Sequence, residues 1–276
     1  MPIHTRPRAA RAARGALGIV AACVLLAGCV TTPTGRSELV LVPADQMARM
    51  GDQAFAQARK ETPVSHDAAA TRFVQCVAKN ITALAPMSYS WQVTLFQSKE
   101  ANAFALPGGH IGVYTGLLKY ARTQDELAAV IGHEVGHVLA RHADARVSTQ
   151  LLAGIGLQAA DAAIGGSGPT HQAIMSALGI GTQVGVMLPY SRSQESEADL
   201  IGLNLMSEAG FDPEASIQLW HNMQSIGGEP PAFLSDHPST SDRIANLQAH
   251  MPQALSQYRQ AKAKGRNPQC GSAPRS

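Results

Sequence analysis

The stretch AAVIGHEVGHVLARH, residues 128–142, places two histidines four residues apart with a glutamate directly after the first. On an α-helix, residues four apart are separated by about 40° around the axis, so His133 and His137 can direct both imidazoles to one point. Glu134 lies about 100° from His133, where it can reach a water held at that point. This spacing is typical of a zinc site with a glutamate as general base. The alternative is a buried helix that happens to carry polar residues, because a catalytic zinc needs three protein ligands and one open position.

Local signals define the start of this helix and a small sheet that precedes it. Thr123 and Glu126 form a capping box, in which each side chain satisfies a backbone N–H of the first helical turn. Upstream, Ala103–Leu106 and His110–Tyr114 are short runs compatible with β-strands, joined by a Pro-Gly-Gly turn at 107–109. With the alternating stretch SYSWQVTLFQ, they predict one small β-sheet beside the histidine helix.

Helical patterns account for most of the remaining chain. Apolar residues recur at three- and four-residue steps over residues 43–59 and 68–84. Three further helices follow residue 190: one ends before Gly210, one begins after Asp212 and runs to Ser225, and an amphipathic one carries Ile244 and Leu255. The expected fold class is therefore α+β, mainly helical.

A third zinc ligand must come from elsewhere in the chain. Ala143 stands six residues after His137, where the metzincin arrangement would place a third histidine, so a carboxylate on a later helix is expected. The stretch SRSQESEADLIG offers Glu195 and Glu197, which lie about 200° apart around a helix, so only one of them can face the metal.

Glu195 is favoured because Asp199 follows it on the same helical face. Glu195 can then bind zinc while Asp199 accepts the free ring N–H of a ligating histidine, as such sites require. Glu197 has no partner of this kind in the sequence. Without the histidine helix, the stretch QESEAD would be interpreted as a solvated helix face.

The N-terminus has the organisation of a bacterial export signal. Residues 16–27 are apolar or glycine, too few to span a bilayer, and they end at Gly28 and Cys29 in a sequence that resembles the lipobox. In that motif, signal peptidase cuts before a cysteine that has received diacylglycerol. The alternative is an ordinary signal peptide with an incidental cysteine. Four arginines and no acidic residue precede the apolar run: Arg6, Arg8, Arg11 and Arg14.

Cleavage before Cys29 would leave 18 basic and 20 acidic residues of the original 22 and 20. Such a chain has no electrostatic footprint for nucleic acid. Cys76 and Cys270 would be the two remaining cysteines that carry no lipid, and an oxidising compartment predicts that they form a disulfide between an early helix and the C-terminal tail. Two unrelated thiols are the alternative.

The segment 147–191 contains Asp161 as its one formally charged residue. It is rich in Gly, Ala, Leu and Gln and is interrupted by the stretch GGSGPT. A helical lid over the active site, a membrane-surface element and core-packing helices all fit this composition. Residues 29–42, with threonines, a proline and Gly35, are expected to be a tether without regular structure.

Several motifs together resemble one metallopeptidase family. The chain contains NAFALPGG, ELAAVIGHEVGHVLARH, PYSRSQESEADLIGL, AGFDP and SDHPSTSDRI in that order. Over residues 40–250 this set resembles the family of the HtpX heat-shock protease and the CAAX prenyl endopeptidase, above all its soluble periplasmic lipoprotein branch. The resemblance implies a zincin-like domain, expected here over residues 43–260, with a signal peptide at 1–28, a tether at 29–42 and a tail at 261–276.

The resemblance also implies a gluzincin site with one Zn²⁺ per chain. His133, His137 and Glu195 would be the ligands and Glu134 the general base. The strand near Asn102, Ala103 and Phe104 would border the cleft and pair with an extended substrate. His237, Arg243 and Tyr190 are candidates for an oxyanion donor, and His237 is also a candidate for occupying the open position on zinc, or for a turn histidine that caps a helix.

The expected function is zinc-dependent endopeptidase activity on unfolded or misassembled envelope proteins. Val30 follows the lipidated cysteine, where an inner-membrane retention signal usually has aspartate, so an outer-membrane anchor facing the periplasm is favoured. Partners would be envelope polypeptides and the outer-membrane assembly machinery. A chaperone-like binding module with latent or minor proteolysis is the alternative. An envelope lipoprotein with a purely structural zinc is disfavoured, because a closed structural site needs no base.

Overall fold

The computed structural model describes residues 28–85, 89–152, 190–225, 231–237 and 241–274. Within them the architecture is mainly helical with two small sheets, which confirms the expected α+β class. The strands are β1 (Cys29–Thr31), β2 (Ser37–Leu39), β3 (Gln92–Phe96), β4 (Ala103–Leu106) and β5 (His110–Tyr114). The helices are α1 (Ala44–Glu61), α2 (Ala68–Thr82), α3 (Gln124–Leu139), α4 (Arg192–Ala209), α5 (Glu214–Ser225), α6 (Ala232–Asp236) and α7 (Ser241–Ala263), with a 3₁₀ helix at Thr115–Lys119 and a helical segment over residues 142–152.

The larger sheet has the strand order β3-β5-β4, with β3 parallel and β4 antiparallel to β5. The predicted bounds of β4 and β5 are confirmed, and the turn between them depends on Gly108 and Gly109, whose φ angles are 93° and 92°. Only glycine adopts such angles readily. Because β4 lies at the edge of the sheet, one side of its backbone is directed towards α3.

Helices α3 and α4 pack backbone to backbone at glycines. A β-carbon on Gly136 would lie 2.8 Å from the carbonyl oxygen of Ala198, and one on Gly202 would lie 2.7 Å from the carbonyl carbon of Gly132. Real side chains do not approach so closely, so the crossing requires residues without one at these points. The crossing brings the face of α3 that carries the histidines against the face of α4 that carries Glu195.

Local residues determine where α3 begins and where it ends. The predicted capping box is confirmed, since the hydroxyl of Thr123 accepts from the backbone N–H of Glu126 and the Glu126 carboxylate accepts from the backbone N–H of Thr123. After Leu139 the chain turns at Arg141, which has a φ of 58°. This left-handed residue interrupts the helix, and the helical segment over residues 142–152 then leaves in a new direction.

The expectation that residues 29–42 lack regular structure is wrong. Strands β1 and β2 form an antiparallel hairpin, in which Val30 pairs with Glu38. The reversal is closed by a hydrogen bond from the backbone N–H of Thr32 to the carbonyl oxygen of Arg36 (2.8 Å), with Gly35 at a φ of 87°. Gly35 therefore supplies a turn conformation here rather than a flexible linker.

Two predictions concern residues that lie wholly or largely outside the described part of the chain. The signal peptide was expected over residues 1–28, and the uncharged segment over 147–191. Among the residues that the structure describes, no helix has the length and apolar character needed to cross a membrane.

The predicted disulfide is confirmed: Cys76 on α2 is bonded to Cys270, 194 positions later, with the two Cα atoms 5.6 Å apart. The tail that carries Cys270 also contacts the start of α3. The backbone N–H of Cys270 donates to Gln124 Oε1 (2.7 Å), and that of Ala273 donates to the carbonyl oxygen of Arg122 (2.9 Å). The tail therefore holds the first turn of the histidine helix in place.

We expect the double variant Cys76→Ser, Cys270→Ser to lose about 2–5 kcal/mol of unfolding free energy, because the long closed loop no longer restricts the unfolded chain. Denaturant unfolding of the variant and the unchanged chain measures the difference. Reductant should lower the stability of the unchanged chain to that of the variant and leave the variant unaffected. Equal stability of the oxidised chain and the variant would contradict a structural role for the bond.

Candidate metal centre

Four metal-binding side chains from three parts of the fold converge in the interior. His133 and His137 come from α3, Glu195 from the first turn of α4, and His237 from the residue after α6. His133 Nε2 lies 3.0 Å from His137 Nε2, 3.4 Å from Glu195 Oε2 and 3.2 Å from His237 Nδ1. Glu195 Oε1 lies 3.5 Å from His137 Nε2 and 3.0 Å from His237 Nδ1. All four side chains are buried.

The spacing of these donor atoms fits a zinc ion. Tetrahedral ligands at about 2.0–2.2 Å from zinc are separated by roughly 3.3–3.6 Å from one another. The separations among the donor atoms of His133, His137, Glu195 and His237, 3.0–3.5 Å, are close to that range. Two imidazoles and one carboxylate are also a common ligand set for catalytic zinc. The structure thus brings the three predicted ligands together, and ligation itself stays a prediction.

Glu134 lies beside the cluster on the side of the sheet. Its Oε1 atom is 3.4 Å from His237 Nε2 and makes no hydrogen bond with any part of the chain that the structure describes. The backbone N–H of Ala105 on β4 lies within hydrogen-bonding reach of the carboxylate. Burial raises the pKa of Glu134 to about 7, a value suited to a general base near neutral pH.

Asp199 is hydrogen-bonded to His133 Nδ1, the ring nitrogen that is directed away from the cluster, and Arg243 is hydrogen-bonded to Asp199. His133 Nδ1 donates to Asp199 Oδ1 (2.9 Å), as predicted from the position of Asp199 on α4. The Arg243 guanidinium donates to both oxygens of Asp199 (2.7 and 2.6 Å), and its Nη1 lies 2.9 Å from Glu195 Oε2. Burial alone would raise the pKa of Asp199, but the charge of Arg243 and the bond from His133 outweigh it and lower it. Asp199 is therefore a carboxylate that can fix the His133 ring.

His137 is supported differently, through a second imidazole. His137 Nδ1 lies 2.9 Å from His142 Nδ1, and His142 Nε2 lies 3.3 Å from Glu197 Oε2. Burial lowers the pKa of His142 to about 4 and that of His137 well below its usual value, so both rings are neutral. Glu197, which has no carboxylate one turn further along its own helix, instead contacts His142 and the hairpin β1–β2. These partners lie on other elements, so the pattern along α4 gave no signal for them.

In His133 and Glu195, hydrogen bonds outweigh the effect of burial on the pKa. Burial alone would lower the pKa of His133, but hydrogen bonds to Asp199 and Glu195 outweigh it, so the pKa is raised. Burial alone would raise the pKa of Glu195, but bonds from His133 and His237 outweigh it, so the pKa is lowered. Glu195 is thus held as a carboxylate, the form that binds metal.

Tyr190, His237 and Arg243 occupy different positions around the cluster. The Tyr190 ring stacks on His137 with centroids 4.0 Å apart, and its hydroxyl accepts from Arg146 (2.9 Å). His237 lies between Glu134 and Glu195. The Arg243 guanidinium contacts the carboxylates of Glu195 and Asp199 and donates to the carbonyl oxygen of His237.

The predicted substrate strand borders the site. Asn102 precedes β4 and donates to Asp236 Oδ2 (2.7 Å), next to His237, while its Oδ1 accepts from the backbone N–H of Ala103 (2.9 Å). The Phe104 ring covers Gly112 of β5. These contacts fix β4 at the sheet edge next to the candidate ligands. Its pairing with a substrate stays a prediction.

Sequence reasoning missed His142, to which the sequence analysis assigns no role. It lies five positions after His137, so on a continuous helix the two side chains would lie about 140° apart. The left-handed turn at Arg141 redirects the chain and brings the rings together with centroids 5.0 Å apart. The stretch contained no signal for this turn, because arginine has no preference for a positive φ.

Comparison with known proteins identifies the family. The model of "Peptidase family M48" matches residues 66–251. Mitochondrial metalloendopeptidase OMA1 of Schizosaccharomyces pombe is 34% identical over 222 residues, which cover 77% of this chain and 63% of that protein. OMA1 of Arabidopsis thaliana is 38% identical over 63% of this chain and 35% of that protein. The beta-barrel assembly-enhancing protease of Escherichia coli K12 is 30% identical over 73% of this chain and 43% of that protein.

The chain thus spans between about a third and two thirds of the length of these relatives. The family match covers the larger sheet, α3, α4 and the first half of α7, and so includes every member of the buried cluster. On the extent of that match, the chain belongs to peptidase family M48, and the cluster around His133, Glu134, His137 and Glu195 is its candidate metallopeptidase site.

Proposed function

We propose that this chain is a zinc-dependent endopeptidase with His133, His137 and Glu195 as metal ligands and Glu134 as general base. The observation that carries the proposal is the convergence of these ligand atoms at 3.0–3.5 Å in the interior, with the Glu134 carboxylate beside them. A structural zinc would not need a buried base with an oxygen that lacks a hydrogen-bond donor in the described structure. The arrangement corresponds to a gluzincin site.

The residues of the chain divide the reaction between them. Zinc bound at this centre supplies Lewis-acid activation of a water molecule and of the peptide carbonyl. Glu134 accepts a proton from the attacking water as the oxygen of that water forms a bond to the carbonyl carbon of the peptide. It then returns the proton to the amide nitrogen as the carbon–nitrogen bond breaks. Asp199 holds the His133 proton on Nδ1, so that Nε2 is free for the metal.

The edge strand β4 supports an extended polypeptide as the substrate. Its outer side faces the candidate site, and a segment added there would pair through main-chain hydrogen bonds, largely independent of its side chains. Unfolded or misassembled envelope proteins fit this mode of binding. The name of one relative, beta-barrel assembly-enhancing protease, supports substrates or partners in outer-membrane assembly.

We further propose that Cys29 is lipidated and anchors the chain in the outer membrane, facing the periplasm. The basic, apolar and lipobox-like segments before Cys29 support this proposal, as does its exposed position in β1. The Cys76–Cys270 disulfide also favours an oxidising compartment. Metabolic labelling with a fatty-acid analogue should label the unchanged chain and leave a Cys29→Ala variant unlabelled. Label retained by that variant would refute the anchor.

His237 is proposed to occupy the fourth position of the metal centre in the resting protein. Its Nδ1 lies as near to His133 and Glu195 as those ligands lie to other members of the cluster. If the open state is populated to at most about 10%, a His237→Ala variant should cleave about tenfold faster or more, with its zinc content unchanged. The matched control is His221→Ala, a change at an exposed histidine on α5. Slower cleavage with zinc retained would instead indicate a transition-state donor.

Metal removal tests the function directly. We expect the purified full chain to contain one zinc per molecule and to cleave β-casein, and chelation to abolish cleavage until zinc is restored. Glu195→Gln should lose the zinc. Glu208→Gln, a change at an exposed position of the same helix, should retain it. Cleavage that survives complete zinc removal, or zinc retained by the Glu195 variant, would refute the proposal.

A chaperone-like module remains the second candidate. The same edge strand could hold an extended envelope polypeptide without cutting it, and His237 beside the ligands fits a latent protease. The two functions differ in whether Glu134 is needed: a chaperone binds polypeptides equally well without the base. Casein binding and casein cleavage by one Glu134 variant separate them.

A further inference from the structure

We infer that the hairpin β1–β2 is a structural part of the metal centre, because it holds the Glu197–His142 pair that orients His137. The inference rests on the proposed zinc site. Glu197 and His142 are not among the proposed metal ligands and act through His137, so both are positioning residues. Their position makes the segment next to Cys29 a determinant of metal affinity.

The two histidines of α3 have unequal support. His133 donates directly to a carboxylate, Asp199 (2.9 Å). No carboxylate of the described chain is hydrogen-bonded to His137 Nδ1, which faces His142 Nδ1 at 2.9 Å. The carboxylate for His137 is therefore one imidazole further away, at Glu197.

The proton positions along this chain of contacts follow from the ligand role of His137. To offer the Nε2 lone pair to a metal, a neutral His137 must carry its proton on Nδ1 and donate it to His142 Nδ1. His142 Nδ1 is then an acceptor, so its proton lies on Nε2 and is donated to Glu197 Oε2 (3.3 Å). An ionised Glu197 favours this one arrangement, and it fixes both the tautomer and the ring orientation of His137.

Three residues of the hairpin hold the Glu197 side chain in place. The hydroxyls of Thr32 and Thr34 donate to Glu197 Oε1, and Arg36 Nη1 lies 3.2 Å from Oε2. The backbone N–H of Arg36 also donates to the Thr32 hydroxyl (3.2 Å), which ties the turn to the same group. Thr32 and Glu197 are 6% and 3% exposed. Without the hairpin, the carboxylate would lose two donors and its neighbouring cation.

A second metal site is the competing interpretation of this corner. Glu38, His142 and Glu197 offer three donor atoms within 4.8 Å of one another. However, the Arg36 guanidinium lies 3.4 Å from Glu38 Oε1 and 3.2 Å from Glu197 Oε2, and so already pairs with both carboxylates. A cation there would meet the guanidinium charge, so the pair is better explained as support for His137.

The test compares three variants of the full chain: Glu197→Gln, the double variant Thr32→Val, Thr34→Val, and the control Thr31→Val. Thr31 is exposed in the same hairpin, which makes the control a matched one. Zinc dissociation constants are measured by competition with a chromogenic chelator. We expect an affinity about 10–100-fold weaker for Glu197→Gln, a smaller loss for the double variant, and no change for Thr31→Val.

Two further measurements distinguish positioning from a loss of stability. The visible absorption spectrum of the Co²⁺-substituted protein should change in Glu197→Gln, because it reports the orientation of His137, which a loss of global stability alone would not alter. The thermal unfolding midpoint of each metal-free variant should exceed the temperature at which affinity is measured. An unchanged dissociation constant and spectrum in Glu197→Gln would overturn the inference, and so would a second zinc equivalent that this variant loses.

A His133→Ala variant separates this outcome from failure of the proposed function. If His133→Ala keeps its zinc, the proposed metal site is wrong and the inference fails with it. If His133→Ala loses zinc while Glu197→Gln binds it as tightly as the unchanged chain, the inference alone fails. Loss in the first and weakening in the second support both.

Discussion

A Glu134→Gln variant is expected to cleave unfolded casein about 10²–10⁴ times more slowly than the unchanged chain, with its zinc content intact. Glutamine has the size of glutamate and keeps its place beside the ligands, but it cannot accept the proton of the attacking water. The initial rate of cleavage at saturating substrate measures the effect, with zinc determined by elemental analysis. Because the variant keeps the metal, the loss isolates proton transfer.

The matched control is Glu100→Gln, the same chemical change at an exposed position before β4. This variant should cleave at the rate of the unchanged chain. Equal cleavage by the Glu134 variant and the unchanged chain would refute the mechanism. Casein that binds the Glu134 variant as tightly as the unchanged chain, without being cut, would show that binding is separable from hydrolysis.

The free energy of unfolding of an Arg243→Met variant is expected to be about 3–5 kcal/mol lower than that of the unchanged chain. The guanidinium is 2% exposed, bonds both oxygens of Asp199, contacts Glu195 and stacks on Trp220 at 4.0 Å. Its removal leaves two buried carboxylates without a neighbouring cation. Denaturant unfolding of the metal-free proteins gives the difference.

Arg49→Met provides the control for this prediction. Arg49 also pairs with an aspartate, Asp45 (2.8 Å), but both side chains are more than 60% exposed. Exposed ion pairs contribute little, so this variant should unfold like the unchanged chain. Similar stability of the two arginine variants would contradict the view that burial makes Arg243 important.

The parts of the fold that depend on neighbouring residues were predicted from the sequence. The bounds of β4 and β5 followed from a Pro-Gly-Gly turn between two β-compatible runs. The start of α3 followed from the capping box at Thr123, and the end of α4 from Gly210, whose φ of 87° needs a glycine. In each case the signal lies within a few residues of the feature it determines.

The support around His137 could not be predicted in the same way. It depends on the positive φ of Arg141, a residue type that seldom adopts one. It also depends on contacts between Thr32 and Glu197, 165 positions apart, for which neither local pattern gives a signal. Asp199 was predicted because it lies on the same helix as Glu195, whereas the partners of Glu197 lie on other elements.

The glycine crossing of α3 and α4 has a consequence for how the protein acquires its metal. Gly132, Gly136 and Gly202 set the distance between two backbones, so the separation of the histidines from Glu195 is fixed by the packing of the main chain. Small zinc domains, by contrast, fold only when the ion binds, and their metal affinity includes the cost of folding. Here the donors are already in place once the helices have docked. Metal loss and reloading in the mature protein are therefore expected to resemble the exchange of a ligand in a preformed cavity, and not a cycle of unfolding and refolding.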